Sequence, residues 1–490
     1  MKVVIAGAGP AGLAAAEALL SEDPTLKVEI RTLGHIVGGR ACSWRLPDGR
    51  TEEHGQHVVL GFYAEMRALL ARSGVDEATA TFSNRGRLIC WEDRDEAAHT
   101  MHFGSSSLRS LADGLAYSGW TAAEKAGFAE MFVRGMPEVI AGVPESLDDV
   151  CLTAWCLGHG MPASCAATNA FRASREAQLN WPGEISAYAQ LRAVRAAGRD
   201  YATSEALFPA GGMSEIFWEP IVARIEALGG TLRRWSAVDG VRRDGDTLRG
   251  LTFRAPLPHD PAHPWTNIYP PLAAEVEDVP VDAAILAVPP GVFGGILAAD
   301  PELAGLAAFA GVPQITSIAP LGMHVWHKNA VTVRHQTVVF GLLPPLAFVL
   351  DNKPIYAQYR DDDRYGACLH FVGQESGYED LTDEEMLVRS LASARKVPGF
   401  EGMDREGVLD FKVIRNRAPH KRYFNAEPGS LQFKPHCKTP IEGLFLAGDW
   451  VRNELDFPCM EAAVRSGRQA AREVLALLDA RRATRSGRAA

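Results

Sequence analysis

The chain has 490 residues, 47% of them hydrophobic, which is enough for a large core divided into two or three domains. Its 50 Lys and Arg against 60 Asp and Glu leave a formal net charge of -10, which argues against nucleic acid as a partner and gives no general attraction to anionic lipid. Eight scattered cysteines, without a CxxC pair or zinc-ligand spacing, predict free thiols in a reducing cytosol and no metal.

The opening "MKVVIAGAGPAGLAAAEALL" reads as a buried strand, a Gly-rich turn and an Ala/Leu helix. No basic segment, apolar run and cleavage site precede it, so a cytoplasmic location is expected. Within it, Gly7, Gly9 and Gly12, with Pro10 and Ala11 between, form a GxGxxG. Gly7 permits the tight turn, Gly9 the approach of a pyrophosphate, and Gly12 close helix packing; the helix N-terminus offers free N–H groups. The second strand, "KVEIR", should close on a ribose-binding acid but reaches Thr32 instead. A Thr hydroxyl lacks a carboxylate's charge-assisted pair of hydrogen bonds, so looser nucleotide retention is expected. Glu29 is expected to point away, and Arg31 and His35 are candidates to bring positive charge to the adenosine end. Next, Gly38-Gly39-Arg40 make a second Gly-rich loop, as in flavoproteins where such a loop and its Arg reach the pyrophosphate. A plain NAD enzyme has no need of it, which moves the reading from NAD to FAD.

From about Ser105 to Arg199 the text is helical, and "MSEIFWEPIVARIEALGG" is a further helix stopped by Gly229 and Gly230. Strands return in "TLRRWSAVDGVRRD", "TLRGLTFRA" and "VDAAILAVPP". The segment "DPAHPWTNIYPPLAAEVEDVP" reads as a proline-rich excursion. The apolar run "AAILAVPPGVFGGILAA" is broken by Pro289 and Pro290, so no bilayer span is expected, while scattered apolar residues leave room for a monotopic, peripheral contact. A mixed region follows, with strands "GMHVWHKNAVTV" and "YGACLHFVG" and a helix from Thr382, capped by a Thr382–Glu385 box. "GLFLAGDW" is a buried strand ending on Gly448-Asp449, and a helix starts at Met460 with its N-terminus facing the cofactor; "ARRATRSGRAA" reads as a frayed tail.

These blocks together resemble FAD-dependent amine-oxidase-like flavoproteins, and among them carotenoid desaturases of the phytoene and zeta-carotene type. The similarity lies in "AGAGPAGLAAA", "GGRACSW", "DGRTEEHGQHVVLGFYAEM", "LNWPGEIS", "FPAGGMSEIFWEPI" and "PHKRYFNAEPGSLQFKPHCKTPIEGLFLAGDW". Hydroxysqualene dehydroxylases are similar too, through "GQHVVLG" and "AGDW…AAVRSG". The resemblance implies an α/β fold: a discontinuous Rossmann-type FAD-binding domain (1–95, 205–295, 425–480) interrupted by a helical (96–204) and a mixed-sheet (296–424) substrate domain, with a tail at 481–490. It implies non-covalent FAD, Asp449 on the ribityl or phosphate end, and Val238 beside adenine.

It also implies desaturation or oxidation of a long apolar isoprenoid or polyene by hydride transfer to flavin N5; the electron acceptor stays open among oxygen, a quinone and a nicotinamide. An amine oxidase producing hydrogen peroxide, and an isomerase or dehydroxylase without net oxidation, stay open as alternatives. Such chemistry needs few side chains, and the catalytic candidates are Glu53 and His57. His57 reads equally as a hydrogen-bonded turn histidine. Phe62, Tyr63, Trp155, Phe171, Trp181 and Tyr188 suit a substrate channel or a core, and Arg175 and Arg192 a solvated surface. Amine oxidases usually place a Lys near the flavin in a region similar to "MHVWHKNAVTV", which gives Lys328 that role or a surface one. Substrate identity and oligomeric state are not legible.

Overall fold

The computed structural model describes residues 1–83, 87–102, 107–171, 184–198, 205–257, 272–332 and 338–489. Trp181, Arg175 and most of the proline-rich excursion lie outside them.

The first strand, Lys2–Ala6, is a run of buried aliphatic residues, as a strand covered on both faces requires. It is the middle of a five-stranded parallel sheet in the order Thr231–Arg233, Lys27–Arg31, Lys2–Ala6, Ala283–Leu286, Leu444–Leu446. The chain thus leaves the central strand toward one side and returns hundreds of residues later on the other. That reversal opens a crevice beyond the carboxyl ends of the strands, where such sheets bind ligands. Helices Pro10–Glu22 and Met460–Ala489 pack together, and their closest point needs glycine: a Cβ on Gly467 would lie 2.0 Å from the Ala11 carbonyl oxygen. The second of these helices continues through the expected tail to Ala489. Arg481 ties it to Glu442 and the Asp282 carbonyl, and Arg482 to Asp23.

A three-stranded antiparallel sheet (Ala237–Asp244, Leu272–Pro280 and, between them, Thr247–Pro256) flanks this body. The second body is a seven-stranded sheet in the order Val408–Arg415, Pro320–His327, Ala367–Gln374, Leu346–Asp351, Val338–Phe340, Arg87–Glu92, Ala97–His102. Strand Arg87–Glu92 precedes the expected domain boundary at 95, yet it pairs with Val338–Phe340 and so belongs to this second sheet. Alternation along Pro320–His327 sends Leu321, Met323 and Val325 into one core with Met386, Leu387 and Leu391 of helix Asp383–Ala394. That helix begins with the expected Thr382–Glu385 capping box. Gly322 and His324 face the other way, toward the backbone of Glu53 and His54. The register pairs His324 with His370, so two buried histidines share that face.

The helical layer contains Ala122–Gly142, Leu152–Gly158 and Ala187–Ala197. Its aromatic residues are core: Trp155 packs on Gly135, where a Cβ would be 2.3 Å from the indole, and Phe171 is buried. Arg192, expected on a solvated surface, is half-buried and donates to the Leu455 carbonyl at 2.8 Å. Its long stem and planar head cover the Tyr188 ring, which accounts for the difference.

Candidate active site

The two Gly-rich loops meet face to face. Gly7, at φ +113°, turns the chain so that its N–H donates to the Arg31 carbonyl at 2.7 Å. Side chains are excluded on both flanks: a Cβ on Gly7 would be 2.3 Å from the Ala287 oxygen, and one on Gly12 1.9 Å from the Gly7 oxygen. Gly9 differs. Its backbone is extended (φ -84°), and a Cβ there would meet nothing nearer than the Gly39 Cα at 3.8 Å. Pro10 and Ala11 begin the helix, and no side chain caps its first turn. Bare amides and an open cradle are what an approaching pyrophosphate needs.

The second loop is clamped to the first by Gly38 N–H donating to the Ala8 carbonyl at 2.8 Å. Gly38 and Gly39 both have positive φ, and Gly38 lies against the Trp218 indole. The segment Ser214–Trp218 braces this loop: Ser214 Oγ donates to the Val37 carbonyl (2.7 Å), and Trp218 Nε1 to the Ala41 carbonyl (2.7 Å). The sequence shows this segment as the start of a helix and a block of resemblance, while its bracing role emerges only from the contacts of Ser214 and Trp218. Arg40 then reaches across to Asp449, Nη2 to Oδ1 at 2.7 Å. Residues 409 positions apart are thus joined at the mouth of the crevice. Gly448, at φ +148°, fixes the turn before Asp449, and its N–H donates to Ser466 Oγ of the C-terminal helix. Met460 opens that helix behind Cys459, whose Sγ accepts from the Ala462 amide.

At the adenosine end, Thr32 is held by its backbone, donating to the Arg233 carbonyl and accepting from Ser236 N–H. That same strand leads two residues on to half-buried Val238. Arg31 does not bring free charge there. It is 3% exposed and paired with Glu29 (2.6 Å) and Glu277 (2.8 Å). Glu29 faces away as expected, pairing also with Lys2 at the far end of the sheet. His35 stacks on Trp235. Thr32→Glu, which restores a carboxylate for the ribose hydroxyls, is expected to tighten FAD binding about tenfold in an equilibrium titration.

Glu53 and His57 occupy different surroundings. Glu53 is fully buried, and among the described residues no Lys or Arg pairs with it: Oε2 accepts from Tyr356 Oη (2.7 Å) and Oε1 from Met213 N–H (3.3 Å). Burial raises its carboxyl to about 7. His370 Nδ1 lies 4.0 Å away and 3.2 Å from Gln56 Oε1, so a polar cluster lies beneath the 53–57 turn. His324, His370, Tyr356 and Gln56 were not singled out from sequence: strand register pairs the two histidines, and tertiary packing brings the loop residues Gln56 and Tyr356 to them. His57 lies deep in the protein but keeps part of its surface open. Burial, with Arg40 nearby, lowers its imidazole to about 4, leaving it neutral.

These shifts set a pH optimum of stability. Glu53's raised value means its contribution is complete below about 4.5 and lost as pH rises through 7. His54, His57 and His324, lowered to about 3, 4 and 4, act oppositely: their contribution is complete above about 6.5 and lost as pH falls toward 4. Glu53→Gln can keep a hydrogen bond to each partner, its Oε1 accepting from Met213 N–H and its amide N–H donating to Tyr356 Oη. In denaturant titrations its stability relative to the parent should be higher at pH 8 than at pH 5, by on the order of 3 kcal/mol.

Residues 10–475 match the family model of flavin-containing amine oxidoreductases. The chain belongs to that family. It is an FAD-dependent oxidoreductase. Among its relatives, the 15-cis-phytoene desaturase of Synechococcus elongatus is 25% identical over 100% of this chain and 98% of that one. The chloroplastic/chromoplastic 15-cis-phytoene desaturase of Arabidopsis thaliana is 23% identical over 96% of this chain and 79% of that one. Among solved structures, putrescine oxidase bound to putrescine superposes with a TM-score of 0.65 at 18% identity, covering 97% and 99% of the two chains. Cyclohexylamine oxidase from Brevibacterium oxydans gives 0.65 at 17% identity over 98% and 99%. The fold expectation of a mixed α/β flavoprotein agrees with both. In the oxidoreductase, the residues that would hold FAD are Gly7, Gly9, Pro10, Ala11, Gly12, Gly38, Gly39, Arg40, Asp449 and the helix end at Met460, with Thr32 and Val238 at the adenosine end.

Proposed function

We propose that the enzyme desaturates, or otherwise oxidises, a long apolar isoprenoid or polyene. The observation that carries this reading is similarity along the whole chain to phytoene desaturases rather than to one motif. A second observation weighs against the amine-oxidase alternative. Lys328, the lysine that family resemblance would bring to the flavin, is exposed and donates to the Glu406 carbonyl at 3.4 Å.

FAD, when bound, supplies the hydride acceptor. The protein's part is to hold the substrate carbon there, exclude water, and take one proton. The Arg40–Asp449 pair and the two Gly-rich loops would hold and orient the cofactor. Neutral His57, half-buried beside Arg40, is the proton acceptor. Its conjugate acid is disfavoured by burial and Arg40, so the proton does not rest there. Glu53, without exposed surface, acts from beneath by fixing Tyr356 and the backbone at Met213. FAD would be held non-covalently, a reading supported by burial, which pushes the thiols of Cys437 and Cys459 up to about 12 and disfavours a reactive thiolate. Among the described residues no helix is long and apolar enough to cross a membrane. A polyene substrate would reach the enzyme at a lipid surface through peripheral contact. A hydrogen peroxide assay across an amine panel tests the alternative: steady peroxide production from an amine would overturn the polyene reading. Product analysis showing no net oxidation would point instead to isomerisation or dehydroxylation.

A further inference from the structure

Lys434 is a lysine in the wrong place for a lysine. It is 5% exposed, its Nζ lies 3.2 Å from Asp456 Oδ1 and 3.3 Å from the Asp449 backbone carbonyl, and its cation faces the Phe424 ring at 5.4 Å. Burial lowers its ammonium below the usual lysine range, opposed by Asp456 and Asp449. A buried ion pair costs several kcal/mol in desolvation, and a well-packed apolar pair often serves stability as well or better. Stability alone therefore gives poor reason for it.

Asp456 is itself strained and heavily engaged. It has φ +55°, a conformation uncommon outside glycine. Its carboxylate accepts from Asn453 N–H (3.0 Å) and Tyr188 Oη (3.4 Å), and it forms an ion pair with Arg452, Nε to Oδ2 at 3.4 Å. Arg452 pairs in turn with Glu145. The ionic chain starts in the helical substrate layer and ends at Lys434, on the main chain of Asp449. From the other side, Arg40 grips the Asp449 carboxylate. Asp449 is thus held at two points by two cations, one on its side chain and one on its backbone.

We propose that Lys434 is a cofactor-positioning residue, which sets the Gly448–Asp449 turn so that Asp449 and Arg40 present the geometry FAD requires. Tyr188 and Asp456 link that turn to the substrate layer. The proposal rests on the FAD assignment and not on the choice of substrate, so its test reads FAD alone.

The full-length apoprotein is titrated with FAD, following flavin fluorescence and the visible spectrum, and its melting temperature is recorded. Lys434→Met removes the nearer and more deeply buried of the two cations set against Asp456 and is expected to lose both FAD and stability. The pair Lys434→Met with Asp456→Asn removes both charges, so it separates the roles. The double variant is expected to melt within a few degrees of the parent apoprotein, bind FAD at least about tenfold more weakly, and show an altered flavin band. Lys434→Arg, which keeps the charge, is expected to hold FAD within about threefold of the parent. The proposal is overturned if the double variant binds FAD with the parental dissociation constant and spectrum. It is equally overturned if the Arg variant, folded, loses FAD as fully as Met does.

Discussion

Gly9→Val is expected to give a folded, colourless protein. The backbone of Gly9 is in ordinary extended territory, so a side chain introduces no strain. Space is available too, since the nearest atom to a Cβ there is 3.8 Å away. What the isopropyl group fills is the cradle between the two Gly-rich loops, where bare amides must approach the pyrophosphate. FAD affinity should therefore fall by at least about a hundredfold while the apoprotein melts as the parent does. Gly12→Ala should behave in the opposite way. Its methyl would lie 1.9 Å from the Gly7 carbonyl oxygen, a backbone atom that cannot yield without shifting the first turn of the helix. Loss of folded protein is expected there, with or without FAD. Titration calorimetry and thermal melts of the two apoproteins distinguish a glycine kept for the ligand from one kept for the fold.

His57→Gln is expected to slow flavin reduction by the substrate by about 10²- to 10³-fold while changing FAD affinity less than about threefold. The ring sits deep beside Arg40 and stays neutral down to about pH 4, so it can accept a proton across the whole working range. Gln preserves a polar side chain of similar reach but accepts no proton. The pH profile gives the discriminating readout. In the parent, reduction should fall away on the acid side as His57 protonates near pH 4; in the variant that limb should vanish. Rapid-mixing absorbance at several pH values measures both. An unchanged rate would make His57 a structural turn residue and remove it from the mechanism.

The Gly-rich turns and strand ends were largely legible because their signals are local. Gly7 to Gly12, Gly38 to Arg40 and Gly448-Asp449 each follow a strand, and the requirement for glycine or for a strand end is met within a few residues. The sheet then brings together what the sequence separates, as the Arg40–Asp449 pair shows. Capping boxes are equally local, and Thr382–Glu385 is where its spacing places it. The polar cluster under Glu53 was not legible. His324 and His370 meet through antiparallel register across two strands, and nothing in either strand's text specifies its partner. Arg31 shows the limit in another way. Its position suggested charge for the adenosine end, but Glu277, contributed by a strand 246 residues later, neutralises it. The C-terminal helix outran its expected end for the same reason: Asp23 and Glu442, distant in sequence, hold Arg482 and Arg481.

The most direct test of the central claim is anaerobic mixing of the FAD-loaded enzyme with a long apolar polyene presented in lipid vesicles, following flavin absorbance. Bleaching of the flavin band and one new double bond per flavin reduced are expected. A flavin that stays oxidised with such polyenes, yet bleaches with a small amine, would contradict that claim.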